Sequence, residues 1–496
     1  MVEAFLQGAA TVFQPVIFLT IFVAVVIGVI IGIIPAIGGM VACALFLPFI
    51  YQLPAALALS FLVALTSVVF TGGSITSILI GVPGTAPNAA TIIDGFPMAQ
   101  KGEAGRALGA AIGSSMFGGI VSVFFAIGMI PVVRPIVLSF RAPEMFMVIL
   151  LGLSFLAVIA AGSAIKGMIS GLLGVLIALI GFQGVSGVYR FTFGSFFLSD
   201  GLDLSSVVLG LFALAEMFDM IVEGKTTIAK GERKVGLKDV LQGVKDVYNH
   251  KWLWFRSSLI GYIIGIIPAI GGNAAMFVAY GHAKHTSKNP EKFGTGCVEG
   301  VIGPESANNA SSAGDLLTTM VFGIPGSAVM ALLLGGFLLV GVTPGPVMIK
   351  ESLPLVFTLL IGIAVANAIA GIICLLVAPQ LMKVSFIHID YLFVVVPVVV
   401  FIGAFVSKLS LLDLIVTLVF GLLGFVMKKY GYSRAGLVLG LVLGELFEFY
   451  LTRALKIFGP TFFISPTCLV MLVFIIVVFA FPWLKDIVGR RFLKGA

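Results

Sequence analysis

A charged fraction of 10% in a chain of 496 residues excludes an ordinary soluble protein, in which roughly 25% of residues are charged. Hydrophobic residues make up 60% of the chain, and apolar runs of about 20 residues, long enough to cross a bilayer, recur from residue 16 to residue 481. The net charge of +7 does not indicate nucleic-acid binding, because the basic residues fall at the ends of apolar runs, as membrane topology requires. The chain is therefore predicted to be an all-α polytopic membrane protein.

The first half of the chain, residues 1–223, contains an unusual break after its first apolar run. That run begins at residue 16 and leads into GIIPAIGG at 32–39, where the proline is expected to end a helix and the last two glycines permit irregular backbone. A polar, proline-rich segment at 72–97 opens with GGSITSILIGVPG. The other apolar runs, read as spans or parts of spans, are 40–50, 55–70, 107–133, 144–161, 164–183 and 203–222.

A basic connector at 224–256 precedes the second half, residues 257–496. GIIPAIGG returns at 265–272, followed by a hydrophilic loop at 282–296 and by a second polar segment at 299–328, which contains GDLLTTMVFGIPG. The remaining predicted spans are 329–342, 354–378, 391–407, 409–427, 434–451 and 466–483. The whole chain is expected to form roughly 12 transmembrane helices.

These matched motifs predict two related halves. A shift of 233 residues relates the octapeptides at 32 and 265, and a shift of 242 relates the later motifs at 72 and 314. The turn at 51–54 carries no charge, whereas the loop at 282–296, which follows an identical octapeptide, is rich in lysine. Basic loops prefer the cytoplasmic side, so the halves are predicted to be inverted repeats, each with a broken or re-entrant segment.

The two polar segments are the predicted binding site, near the middle of the membrane. Lipid cannot satisfy the backbone groups freed at a Pro-Gly break, so these breaks must face protein, water or ligand. The predicted substrate-binding and ion-binding residues are Ser74, Thr76, Pro83, Gly84, Thr85, Asn88, Glu305, Asn308, Asn309, Asp315, Thr318, Pro325, Gly326 and Ser327. Glu305 and Asp315 are assigned to cation binding, proton exchange or helix-end anchoring, and a sodium site is expected near Asn308, Asn309 and Thr318.

Transition metals, disulfides and organic cofactors are not expected. The four cysteines lie far apart and form no CxxC pair. His282 and His285 lie among lysines in the hydrophilic loop, where a solvated surface is the more ordinary interpretation than a metal site.

The polar segments also carry a family resemblance. Residues 72–109 and 299–336, the octapeptide in each half and TPGP at 343–346 resemble the large membrane subunit of the tripartite tricarboxylate transporters. The resemblance implies a bacterial inner-membrane secondary transporter that imports a tricarboxylate, a dicarboxylate or a similar organic anion with sodium or protons. It also implies two partners, a periplasmic substrate-binding protein and a small four-span membrane subunit. Asp315 departs from the family pattern, which often has a small residue there, so the substrate and the coupling ion stay open.

Other classes of protein were weighed against a transporter. The chain has no HExxH, DDxxD or complete phosphate-binding loop that would indicate a membrane enzyme. A channel, or a stand-alone transporter for another small solute, is the alternative, because paired re-entrant loops also build pores. A structural scaffold would not need polar residues at membrane depth, which are costly unless they are paired or functional. The oligomeric state is left open, with a homodimer among the candidates.

Overall fold

The computed structural model describes residues 1–34, 38–154, 163–183, 187–223, 236–268, 271–378, 380 and 390–477, which are largely helical. Within these ranges, seven helices are long and apolar enough to cross a membrane. Shorter apolar helices of 10–17 residues accompany them. The prediction of an all-α polytopic membrane protein is confirmed.

Most of the helices up to the connector overlap the predicted spans, but the helix that begins at Ala55 runs beyond its predicted end at residue 70 to Ile80, inside the first polar segment. The helices are α1 (Val2–Val12), α2 (Pro15–Ile33), α3 (Gly38–Phe46), α4 (Ala55–Ile80), α5 (Ala89–Gln100), α6 (Ala104–Leu138), α7 (Ala142–Ser154), α8 (Ala164–Ala178), α9 (Leu204–Val208) and α10 (Ala215–Glu223). A π-helical segment, Leu209–Leu214, joins α9 to α10. Short 3-10 turns lie at Leu47–Ile50, Ala86–Asn88 and Phe197–Asp200.

The second group of helices begins inside the connector, of which residues 224–235 lie outside the described ranges. The helices are α11 (Leu237–Asn249), α12 (Lys251–Ile266), α13 (Gly271–Thr286), α14 (Glu299–Phe322), α15 (Ala328–Leu339), α16 (Pro346–Glu351), α17 (Leu353–Leu376), α18 (Asp390–Lys408), α19 (Leu411–Lys429), α20 (Arg434–Phe458) and α21 (Pro466–Val477). Short 3-10 turns lie at Pro290–Lys292 and Pro460–Ile464.

One predicted span is wrong at its end. The apolar run at 164–183 was read as a single helix, but α8 ends at Ala178. The chain then forms a hairpin, in which β1 (Gly181–Gln183) pairs antiparallel with β2 (Val188–Arg190). Gly181 has a φ of +110°, a conformation that favours glycine and ends the helical path. Apolar composition alone could not show this turn.

The polar helix α14 lies at the centre of the structure. Every residue from Gly300 to Val321 is buried, and the helix contacts α4, α5, α6, α12 and α13. A helix that is covered on all sides does not face lipid, so neighbouring helices can supply partners for its Asn, Ser and Thr side chains. This arrangement accommodates a segment of strongly polar composition among membrane-spanning helices.

The repeated segments pack in the same way in both halves. A Cβ atom on Gly32 of α2 would lie 2.2 Å from the carbonyl oxygen of Val69 on α4, so the two backbones are in direct contact. A Cβ atom on Gly265 of α12 would lie 2.3 Å from the carbonyl oxygen of Ser311 on α14. The glycines are related by the shift of 233 residues and the carbonyl groups by the shift of 242. In each half, the helix that leads into the octapeptide break therefore packs, through equivalent positions, against the helix that carries the polar segment.

The inverted orientation of the halves stays a prediction, which side-specific labelling can check. Gln52 and Lys288 are exposed and follow the two octapeptide segments. After Cys297, the partly exposed native cysteine, is replaced by serine, Gln52→Cys and Lys288→Cys should react with a membrane-impermeant maleimide from opposite sides. The parent protein without introduced cysteines is the control, and labelling from the same side would make the repeats parallel.

Candidate functional site

Both polar segments break in the same conformation. α4 ends at Gly81, which has a φ of +69°, and α14 ends at Gly323, which has a φ of +70°. Glycine adopts this left-handed conformation at little cost, so each helix stops there. After the Pro-Gly pair, Thr85 and Ser327 are both extended and precede the next helical turn. The predicted broken segment is thus present in each half.

The octapeptides produce a second pair of breaks. α2 ends at Ile33 and α3 begins at Gly38, while α12 ends at Ile266 and α13 begins at Gly271. The two glycines share a φ of +57°. Pro35, which was expected to end the first helix, lies outside the described residues. Each octapeptide therefore creates a new helix start, and the first N–H groups of a helix have no partner within it.

These breaks surround a cavity of about 300 Å³. Its walls include the starts of α3 and α13 and parts of both Pro-Gly loops. The predicted site residues that line it are Pro83, Gly84, Thr85, Asp315 and Ser327. Other lining residues include Gly38, Gly271, Phe70, Phe212, Glu216 and Arg434. Because helix starts carry a partial positive charge and free N–H groups, a cavity built from them favours an anion.

The side chain of Asn88 holds the Pro-Gly loop of the first half in place. It is fully buried, and its Nδ2 donates to Ser74 Oγ at 2.8 Å and to the Phe70 carbonyl at 3.1 Å. The Thr85 hydroxyl donates to Asn88 Oδ1. The hydroxyl of Thr76 donates to the Gly73 carbonyl within its own helix, at 3.0 Å. Ser74 and Asn88 thus position the cavity wall, whereas Thr76 serves its own helix.

Asp315 lies beside the loop hydroxyl of the second half and lines the cavity. The residue is 5% exposed, and its carboxyl group lies beside the Ser327 hydroxyl. Its Oδ1 has no hydrogen-bond partner among the described residues. Ser327 in turn accepts a hydrogen bond from the Met330 N–H at the start of α15, at 3.4 Å. Pro325 and Gly326 are buried behind this wall and do not line the cavity.

The residues expected to form a sodium site do not converge on one point. Asn308 and Thr318 lie ten positions apart on the continuous helix α14, which places them about 15 Å apart along its axis. The Thr318 hydroxyl donates to the Ile266 carbonyl at the end of α12, at 3.0 Å. Asn309 donates to Thr71 Oγ1 at 2.8 Å. A single ion therefore cannot contact Asn308 and Thr318 together.

Asn308 is the member of that group with unused bonding capacity. It is fully buried, and its carboxamide lies beside the Glu305 carboxyl group on the same helix without a well-aligned hydrogen bond to it. Its Oδ1 would lie 4.0 Å from a Cβ atom on Gly272, so it lies near the start of α13, although Asn308 does not line the cavity. Buried amides are normally hydrogen-bonded, and an unpaired one indicates a place for water, an ion or a ligand.

Two buried carboxylates connect the halves away from the cavity. Glu305 accepts hydrogen bonds from the hydroxyls of Thr91 on α5 and, at 2.7 Å, Ser115 on α6. Asp94 on α5 accepts from three backbone N–H groups in the segment 294–297, at 2.8 to 3.0 Å, and from the Tyr280 hydroxyl at 3.0 Å. These contacts favour anchoring over ion binding for Glu305. Asp94, which was not singled out as a site residue, ties α5 to residues 294–297 at the end of the hydrophilic loop.

Arg434 and Glu216 are cavity residues that the sequence did not reveal. Their side chains form an ion pair, with Nη2 of Arg434 2.8 Å from Oε1 of Glu216. In the sequence, Arg434 is indistinguishable from the many basic residues at the ends of spans. Asn367 was also missed, although its Oδ1 accepts from Asn309 Nδ2 at 2.5 Å. A polar residue inside the apolar run of α17 was the available signal for Asn367, and none existed for Arg434.

Comparison with known proteins finds a family match and relatives of similar sequence. The model of the tripartite tricarboxylate transporter TctA family matches residues 18–439. The chain is 35% identical over 427 residues to the "Uncharacterized 52.8 kDa protein in TAR-I ttuC' 3'region" of Agrobacterium vitis, covering 86% of this chain and 84% of that protein. A second Agrobacterium vitis protein, from the TAR-II ttuC' 3'region, is 36% identical over 197 residues, covering 40% of this chain and 81% of that protein. No solved structure matches the chain.

Proposed function

Since the chain belongs to the tripartite tricarboxylate transporter TctA family, and is thus a permease component of a tripartite system, we propose that it imports an organic carboxylate together with sodium or protons. The substrate would be a tricarboxylate, a dicarboxylate or a similar anion. The chain is a multi-pass membrane protein, and we place it in the bacterial inner membrane. The observation that carries this proposal is the cavity between the two Pro-Gly breaks and the two octapeptide helix starts.

The cavity has the chemistry that a transported carboxylate requires. A transporter must bind an anion and then release it, which backbone N–H groups allow more readily than a buried lysine would. Gly38 and Gly271 begin α3 and α13 at the cavity, and Thr85 and Ser327 add hydroxyl groups. Broken helices whose starts point at an anionic group are a recurring way of binding substrate in secondary transporters. We therefore assign the first carboxylate of the substrate to these helix starts.

Ion coupling is assigned to the second half of the same cavity. Asp315 brings a carboxylate with an unpaired Oδ1 at the cavity, and Asn308 brings a carboxamide behind the cavity wall, near the start of α13. Carboxylate and amide oxygens are suitable ligands for a dehydrated sodium ion, and a buried carboxylate can alternatively carry a proton. A cation bound there would also offset the charge of an incoming anion. Entry of the anion together with a cation would thus avoid leaving an uncompensated charge in the cavity.

The family name implies further subunits, and we propose their kinds. A periplasmic binding protein would capture the carboxylate and deliver it to this chain, and a small four-span membrane subunit would complete the complex. Uptake by proteoliposomes that contain this chain and the small subunit should be saturable and depend on added binding protein and on a sodium or proton gradient. Mono-, di- and tricarboxylates, tested in parallel with each component omitted in turn, identify the substrate class.

Two results would contradict this proposal. Full-rate saturable uptake by this chain alone at micromolar substrate would remove the need for partners. Conduction without a saturable, ion-coupled step would instead indicate a channel.

A further inference from the structure

Arg434 gives the cavity a fixed positive charge in addition to the helix starts. It is the only basic residue among the described residues that line the cavity. Its side chain is 13% exposed, and the guanidinium lies over the Phe212 ring, 5.3 Å from the centroid. Nη1 donates to the Leu211 carbonyl at 3.2 Å and Nη2 donates to Glu216 Oε1 at 2.8 Å. The guanidinium is therefore held at the cavity wall by neighbours on the π-helical segment and α10.

Arg434 is not the only basic partner of the Glu216 carboxylate. Oε2 of Glu216 lies 2.7 Å from Lys428 Nζ, and Lys428 is also 2.5 Å from Asp219 Oδ2. The two acids and two bases of this network balance in charge. Breaking a buried ion pair is costly when it leaves one charge uncompensated. Since Lys428 remains beside Glu216, Arg434 can exchange its carboxylate partner without leaving Glu216 unpaired.

We propose that Arg434 is a second carboxylate subsite, at which a carboxylate of the substrate replaces Glu216. This inference rests on the proposed function and extends it, because the first carboxylate already lies at the helix starts. The planar guanidinium has five donors in a fork that matches a carboxylate, which makes it suited to this exchange. A substrate with two or more carboxylates engages both subsites, whereas a monocarboxylate engages only the helix starts. Arg434 thereby selects for polycarboxylates.

Binding of propionate, succinate and tricarballylate to the purified protein, measured by calorimetry, tests the subsite. Arg434→Gln should weaken succinate and tricarballylate binding about tenfold or more, while propionate changes less than about threefold. Glu216→Gln should strengthen binding of the two polycarboxylates, because the competing charge is removed. Arg434→Lys keeps the charge but loses the fork, so it should give intermediate losses, and it preserves the test if the glutamine variant does not fold.

Arg453→Gln is the matched control, because Arg453 lies on the same helix α20 and over the Phe449 ring, but is exposed and does not line the cavity. It should leave the ratio of succinate to propionate affinity unchanged. Equal losses for all three ligands in Arg434→Gln would make the ion pair purely structural and overturn the subsite alone. If the unmodified protein binds none of the three ligands, the subsite and the proposed function both fall.

Discussion

Gly84→Ala and Gly326→Ala should each lower transport at least about tenfold, because a single methyl group has no room at either position. A Cβ atom on Gly84 would lie 2.4 Å from the Cα of Gly73 and 2.6 Å from the carbonyl oxygen of Gly32. These neighbours are backbone atoms, which cannot rotate away as a side chain can. The added methyl group must therefore push the Pro-Gly loop away from α2 and α4, and so deform the cavity wall.

Gly326 occupies the corresponding position in the second half. A Cβ atom there would lie 2.7 Å from the Cα of Asp315 and 3.0 Å from the carbonyl oxygen of Gly265. Each Pro-Gly loop thus packs between two helices, α2 and α4 in the first half and α12 and α14 in the second half. Overpacking of this kind costs about 1 to 3 kcal/mol of stability, so a folded but inactive protein is expected. Because Gly326 does not line the cavity, its effect must act through displacement of Asp315.

Gly128→Ala is the matched control for both substitutions. Gly128 lies within α6, and a Cβ atom there would meet no atom within 4 Å. Alanine is favoured over glycine in a helix by about 1 kcal/mol, so this variant should be stable and active. Uptake in vesicles, normalised to the amount of folded protein, compares the three variants. Normal uptake by Gly84→Ala and Gly326→Ala would show that the loops are not rigid parts of the site.

The breaks in the helices could be predicted from sequence because their causes are local. Proline and glycine act on the backbone of their own segment, so GIIPAIGG and the two Pro-Gly pairs showed where helices end. Comparison of the halves then related these breaks to one another. The hairpin after α8 shows the limit of composition, because its first strand, residues 181–183, was taken for the end of a span.

The partners of the site residues could not be predicted, because they depend on packing between distant segments. Arg434 lies at the cavity because α20 packs near the π-helical segment that carries Leu211. Asn309 was predicted as a ligand, yet it pairs with Thr71 and Asn367. An asparagine side chain can thus bind a ligand or form a hydrogen bond between helices. The choice between them is made by neighbours that a single sequence does not place.

The two halves hold their loop hydroxyls with different chemical groups. Gly73 and Asp315 are equivalent by the shift of 242 residues. A Cβ atom on Gly73 would lie 2.3 Å from Asn88 Oδ1, so the Asn88 carboxamide occupies the space beside that glycine and accepts from Thr85. In the second half the Asp315 carboxyl group lies beside Ser327. A neutral amide in one half therefore corresponds to an ionisable carboxyl group in the other.

Asp315→Asn should abolish the dependence of transport on the coupling ion and lower uptake about tenfold or more, because the carboxyl group is the acidic member of the proposed ion site. The substitution keeps the size of the side chain and its ability to bond with Ser327. It therefore removes a charge without creating a cavity, and it makes the second half resemble the first in chemistry. Uptake measured against sodium concentration and against pH separates the two coupling ions.

If sodium is the coupling ion, the variant should lose the sodium dependence while retaining carboxylate binding at high substrate concentration. If protons are coupled, the change should appear in the pH profile instead. Asp239→Asn, an exposed substitution on α11, is the control and should alter neither profile. Asp315 would be only an anchor for Ser327 if the asparagine variant kept the full ion dependence and lost only stability. In that case, Asn308, which lies near the start of α13 behind the cavity wall, would be the remaining candidate ion ligand.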